Sequence, residues 1–248
     1  MRKLTILTYH SIDNSGSPIS TSPVLFSQHL RYLKEKHFSV ISLSQGLKLL
    51  QGHEPTDKKV VLTFDDGYEN FHSRAFPLLS QYHFPATVFL VARYVGRDSS
   101  WDKKNKVATQ RLLNWSQVEK LSHSSIEFGS KSLTHRDLTR ISIDEVREEV
   151  EESRTMIEEH IGKGVHLFAY PYGIYNSTVR EMVRKHYDAA VGVNVAVATD
   201  KEDPYDLSRI DVHYVAGHFE LLGKAVATPY LAIRNTVRQI KDSLKKEG

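Results

Sequence analysis

The chain contains no cysteine among its 248 residues. That absence excludes disulfides and thiolate metal sites, so any bound metal must rely on His, Asp or Glu. Long apolar runs are missing as well: no stretch approaches the roughly 20 residues that a membrane-spanning helix needs. No internal repeat, low-complexity tract or Pro/Gly/Ser-rich linker divides the chain, and its length suits one large α/β domain better than two. A net charge of +3 is too small to point to a nucleic-acid partner. With 40% hydrophobic and 25% charged residues, the composition is ordinary for a soluble globular protein. The basic start Met1-Arg2-Lys3 leads into an apolar run too short for a signal-peptide core. A full-length product is therefore expected in the cytoplasm or close to a membrane; one trimmed of a leader would be extracytoplasmic.

Short β-rich runs alternate with stretches of helical period. Strands are expected at Leu4–Thr8, Phe38–Ile41, Val60–Phe64, Ala86–Ala92, Ile126–Gly129, His166–Tyr170, Ala189–Val193 and Ser208–Val212. Helices are expected at Phe26–Lys36, Glu69–Tyr82, Trp115–His123, Ile143–His160 and Asn176–His186. A further helix runs to Leu50 behind an N-cap at Ser42, with Gln45 completing a capping box. This order implies an α/β fold: a distorted or incomplete (β/α) barrel of seven to eight parallel strands in one domain. Tyr94–Leu113 is polar and aperiodic and reads as an excursion over one rim. Residues 218–248 read as a helical extension packed on the domain, kinked at Pro229. The basic end of that extension, Lys241, Lys245 and Lys246, could instead touch an anionic membrane surface.

Two adjacent carboxylates, Asp65 and Asp66, close the strand Val60–Phe64 and precede Gly67. Like charges this close raise each other's pKa, and each acid needs a partner. One acid can hold a metal while the other takes a proton; a turn with exposed acids is the simpler alternative. Other strands also end in chemically useful groups. His10 follows the first strand, Ser130 to His135 follow the fifth, and Pro171-Tyr172-Gly173 follow the sixth. Arg209, Asp211 and His213 accompany the last. In a barrel, strand ends of this kind share one catalytic face.

Thr63-Phe64-Asp65-Asp66-Gly67-Tyr68 resembles, residue for residue, the first motif of the polysaccharide deacetylases, the carbohydrate esterases with a NodB-type domain. Phe168 to Gly173 is similar to that family's aromatic-Pro-Tyr-Gly motif. Leu7-Thr8-Tyr9-His10 and Leu207 to Val212 resemble the permuted branch that includes deacetylases of poly-N-acetylglucosamine. The resemblance spans about residues 3–213. It implies a hydrolase acting on C–N bonds other than peptide bonds, which removes N-acetyl groups from an amino-sugar glycan or glycan precursor with a divalent metal, zinc being expected. Asp65 would be the general base, and Asp66 and His135 metal ligands. His10 would be the general acid, and Tyr172 would offer its backbone N–H to the oxyanion. Ala169 stands where many members carry an arginine that orients the base; Arg209 could serve instead, or could be a surface ion pair.

One position departs sharply. The family's second motif supplies two metal-binding histidines, and Lys131 stands where the first is expected. A protonated lysine has three donors and no lone pair. Lys131 could ligate as a neutral amine, another residue such as His213 could complete the site, or Lys131 could pair with Asp66 in the metal's place. The last case implies a catalytically impaired member that binds glycans or acts as a scaffold. Tyr9, Tyr68, Tyr170, Tyr172, Trp101 and Trp115 are candidate platforms for sugar rings.

Overall fold

The computed structural model describes residues 1–101, 109–215 and 219. The strands are β1 (Lys3–Tyr9), β2 (Ser11–Ile12), β3 (Ser20–Thr21), β4 (Ser39–Ile41), β5 (Lys59–Phe64), β6 (Ala86–Leu90), β7 (Ile126–Ser130), β8 (Leu167–Ala169), β9 (Ala189–Val191), β10 (Ala198–Thr199) and β11 (Ile210–Asp211). The helices are α1 (Pro23–Glu35), α2 (Leu43–Gln51), α3 (Phe76–Tyr82), α4 (Trp115–Ser122), α5 (Ile143–Ile161) and α6 (Ser177–His186). The expected capping box at Ser42 is present, as is one at Asn114 with Gln117, and Asn176 caps α6.

Nine of these strands form one curled sheet, in the order β10-β1-β5-β6-β7-β8-β9, with β11 on β1 and β4 on β5. All its pairings are parallel except β1 with β10. The run 207–211 brings the two ends of the curl together. Leu207 bridges Val191 of β9 at one end, and Ile210 pairs with Leu7 of β1 at the other. This is the expected distorted barrel. Parallel strands covered on both faces are largely apolar, and β6, Ala-Thr-Val-Phe-Leu, is buried at every position.

Alternating strand residues divide the core in two. Leu7, Tyr9, Leu62, Phe64, Val88 and Leu90 pack outward against α1, α3, α4, α5 and α6. Leu4, Ile6, Val61, Phe89, Leu167 and Val191 face the other way, where α2 packs with Leu43, Leu47 and Leu50. Gly46 allows that approach: a Cβ there would stand 2.7 Å from Leu4 Cδ2.

Two expectations are corrected. The helix expected over Glu69–Tyr82 begins as a π-helical turn, Phe71–Ala75, and is α-helical only from Phe76. Pro77 has no N–H for the regular ladder. The last strand is two residues rather than five, and the antiparallel β10 lay in a stretch with no period to betray it. The extension expected over 218–248 lies outside the described residues, apart from Phe219, and with it the proposed membrane contact. Among the described residues no helix is long and apolar enough to cross a membrane.

Phe219 stacks on His29 of α1 with ring centroids 3.8 Å apart. His29 is buried, its Nδ1 meets Tyr9 Oη at 3.1 Å, and its Nε2 has no hydrogen-bond partner. Burial holds its pKa down at about 4, against 6.5 in the unfolded chain. Between those values the unfolded state binds the extra proton, so stability falls as pH drops through this window and levels off below it. The loss is on the order of 3 kcal/mol. Denaturant midpoints between pH 7 and pH 4 are expected to fall more steeply for wild type than for His29→Gln; parallel curves would rule out this origin.

Candidate active site

Register levels the carboxyl ends of the barrel strands. Tyr9 pairs with Phe64, Leu90 with Ser130, and Ser130 with Phe168. The Asp65 N–H donates to Tyr9 O at 2.9 Å. His10, the Asp65–Asp66 pair, Lys131 and Tyr172 therefore reach one rim from β1, β5, β7 and β8. Asp66 (φ 73°) and Gly67 (φ 71°) turn the chain sharply after β5. A Cβ on Gly67 would come within 2.7 Å of Leu90 Cδ2. Ser132, His135 and Tyr172 also have positive φ, at 67°, 62° and 57°. For residues other than glycine, each such conformation costs about 1–3 kcal/mol and persists only where the surroundings enforce it.

For the 131–135 loop, those surroundings are a closed set of hydrogen bonds. Ser132 N–H donates to Ser130 Oγ at 3.0 Å, and His135 N–H to Ser132 Oγ at 3.1 Å. Glu149 of α5, itself buried, accepts from the N–H groups of Leu133 and Thr134 at 3.0 and 2.9 Å and from the Thr134 hydroxyl.

Asp65 and Asp66 are 1% and 5% exposed, so they are not the acids of an open turn. Arg209 grips Asp65 with both arms: Nη1 donates to Oδ1 at 2.7 Å and Nη2 to Oδ2 at 2.9 Å. Its Nε donates to Gly192 O at 3.0 Å and its Nη1 also to Thr63 Oγ1 at 3.2 Å. Arg209 is buried, which removes the surface-pair alternative. Lys131 Nζ donates to Asp65 Oδ2 and lies 3.8 Å from Asp66 Oδ1, so its closer partner is Asp65 rather than the expected Asp66. His135 Nε2 is 3.3 Å from Asp66 Oδ1, and His10 Nε2 is 4.0 Å from Asp65 Oδ2 on a more open side.

The two acids do not raise each other's pKa as adjacency alone suggested. Burial pushes Asp65 up, but Arg209 and then Lys131 hold it well below the usual carboxylate range. Burial likewise opposes ionisation of Asp66, and the neighbouring His135 and Lys131 bring it to about 2. At both acids the neighbouring charges and hydrogen bonds outweigh desolvation. Above His135, Trp101 stacks at 5.1 Å and Tyr172 meets the ring edge-on at 4.6 Å. Tyr172 is exposed, whereas Tyr9, Tyr68 and Tyr170 are buried and cannot serve as platforms.

The sequence profile of the polysaccharide deacetylases matches residues 52–189. The chain belongs to that family. It is 26% identical over 212 residues to YxkH of Bacillus subtilis (strain 168), which carries the name of a polysaccharide deacetylase; the match covers 85% of this chain and 71% of YxkH. It is 24% identical to the poly-beta-1,6-N-acetyl-D-glucosamine N-deacetylase of Escherichia coli (strain K12), covering 72% of this chain and only 32% of that enzyme. The solved Streptococcus pyogenes deacetylase PplD, in complex with acetate, superposes with a TM-score of 0.74 at 25% identity, covering 84% of this chain and 92% of PplD.

Deacetylases of this family are generally metal-dependent, and the donors here fit a metal incompletely. Asp66 and His135 stand together and Asp66 Oδ1 has no hydrogen-bond partner. No third His, Asp or Glu joins them among the described residues. His213 is exposed beyond β11 and does not complete the set. Lys131, which has no lone pair when protonated, sets its Nζ beside both acids, 3.8 Å from Asp66 Oδ1. His135 Nδ1 also lacks a partner, although metal-binding histidines usually anchor the second nitrogen.

Sequence reasoning missed Glu149. The signal was available: Val146, Glu149, Val150, Ser153 and Ile157 fall on one helical face, and an acid on that face needs donors. Glu149→Ala leaves the Thr134 N–H without its acceptor, while Leu133 N–H keeps the Glu149 backbone carbonyl at 3.1 Å, and is expected to lower stability by about 1–3 kcal/mol. A loss below about 0.5 kcal/mol in equilibrium unfolding, the range of an ordinary surface change, would refute that role.

Proposed function

We propose that this chain binds an N-acetylated amino-sugar glycan or glycan precursor and hydrolyses its N-acetyl amide, releasing acetate and leaving a free amine. The observation that carries this reading is the meeting of Asp65, Asp66, His10, His135 and Tyr172 on one rim. Water attacks the acetamide carbonyl carbon and gives its proton to Asp65, which Arg209 holds in place. The Tyr172 backbone N–H faces the oxyanion that forms, an interaction worth about 2.7–4 kcal/mol in other acyl-transfer sites. As the C–N bond breaks, His10 delivers a proton to the departing nitrogen. A divalent metal, zinc being the expected one, would need a third donor beside Asp66 and His135, where Lys131 offers none, so these steps run through side chains alone.

A second reading is favoured by the contact of Asp65 with both Lys131 and Arg209. A carboxylate engaged by two cations is a poor base. Such a member would bind glycan or serve as a scaffold with little turnover. Acetate release from oligomers of β-1,6-linked and β-1,4-linked N-acetylglucosamine separates the two. Asp65→Asn and His10→Gln are each expected to slow wild-type release roughly 10²–10⁴-fold. Wild-type release no faster than that of Asp65→Asn, with oligomer binding retained in calorimetry, would leave the binding reading.

A further inference from the structure

We propose that Lys131 is a built-in cation standing in the metal's place, so that the native chain retains no stoichiometric divalent ion. The inference deepens the reading of the same rim but does not depend on turnover there.

Half of a metal site is already formed. Two donors, each about 2.0–2.2 Å from a tetrahedral zinc, stand roughly 3.3–3.6 Å apart. Asp66 Oδ1 and His135 Nε2 are 3.3 Å apart. Lys131 Nζ lies 3.8 Å from that same Asp66 oxygen while donating to Asp65. Its backbone is pinned, since Lys131 N–H donates to Leu90 O at 2.8 Å, and the residue is only 3% exposed. The ammonium is therefore part of the buried structure.

Charge leads to the same conclusion. Asp65 and Asp66 contribute two negative charges, and Lys131 and Arg209 two positive ones, all four side chains being buried. A divalent ion placed among them would leave two positive charges uncompensated, which a buried site tolerates poorly. A histidine at 131 removes one resident charge and supplies a lone pair in its place.

The test measures metal directly. Tag-free full-length wild type, Lys131→His and Lys131→His/Asp66→Ala are incubated with zinc, dialysed exhaustively and assayed by elemental mass spectrometry. Thermal unfolding is recorded with and without zinc. Wild type is expected to retain less than about 0.1 ion per chain and to show no zinc-dependent shift in Tm. Lys131→His is expected to retain about one ion and gain stability with zinc, and the double variant to lose both. Wild type holding about one ion per chain, removed by Asp66→Ala, would overturn the proposal. So would a folded Lys131→His that binds none, because Lys131 would then not stand at the metal's corner. If the histidine variant does not fold, the wild-type measurement still decides. Acetate release is scored separately. Wild type without metal and without hydrolysis leaves this inference intact and removes the catalytic reading; wild type with metal and hydrolysis does the reverse.

Discussion

The ion pairs of Asp65 are the constraint around which this rim is organised. One carboxylate receives Arg209, the residue before β11, and Lys131 from the loop after β7. Lys131 and Arg209 lie 66 and 144 positions from Asp65 along the chain. Arg209 extends the connection to Thr63 and to the Gly192 carbonyl. Taking these charges from water is expensive, so net stabilisation is not guaranteed by their contact. Their consequence is geometric: with the partners present the acid has one satisfactory position, and with one removed it is a buried charge short of compensation.

Backbone strain follows the same rim. Asp66, Ser132, His135 and Tyr172 all adopt left-handed conformations that ordinary side chains avoid. They sit beyond strand ends, where ladder hydrogen bonds no longer dictate direction. Glu149 and Ser130 replace that ladder for the loop after β7, and the resulting turn aims Lys131 and His135 at Asp65 and Asp66. The barrel supplies level strand ends, and these side-chain bonds then set the direction of each group.

Much of the fold was legible because it rests on local rules. The parallel strands are mostly apolar runs, and Ser42, Asn114 and Asn176 are helix starts whose side chains satisfy orphan N–H groups. Shorter features escaped. Ala198–Thr199 pairs with Lys3 and Leu4 over two residues, too few to show a period. The π-helical turn before α3 depends on how Pro77 interrupts an otherwise ordinary helical pattern. At the site, the acids, His10, His135 and Tyr172 were recognisable from motif and position. Glu149 was hidden among the many acids of α5.

The sequence by itself determined the family motif, the alternation of strand and helix, the dependence of any metal on His, Asp and Glu, and the presence of lysine at 131. It also limited what that lysine can do, since an ammonium has no lone pair wherever it sits. Only the tertiary structure decided that Lys131 lies closer to Asp65 than to Asp66, that Arg209 is buried and two-armed, and that His213 stays outside. These are distances between groups on strands far apart in sequence, fixed by barrel closure and register. Spacing along a chain carries no information about them until the strands have paired.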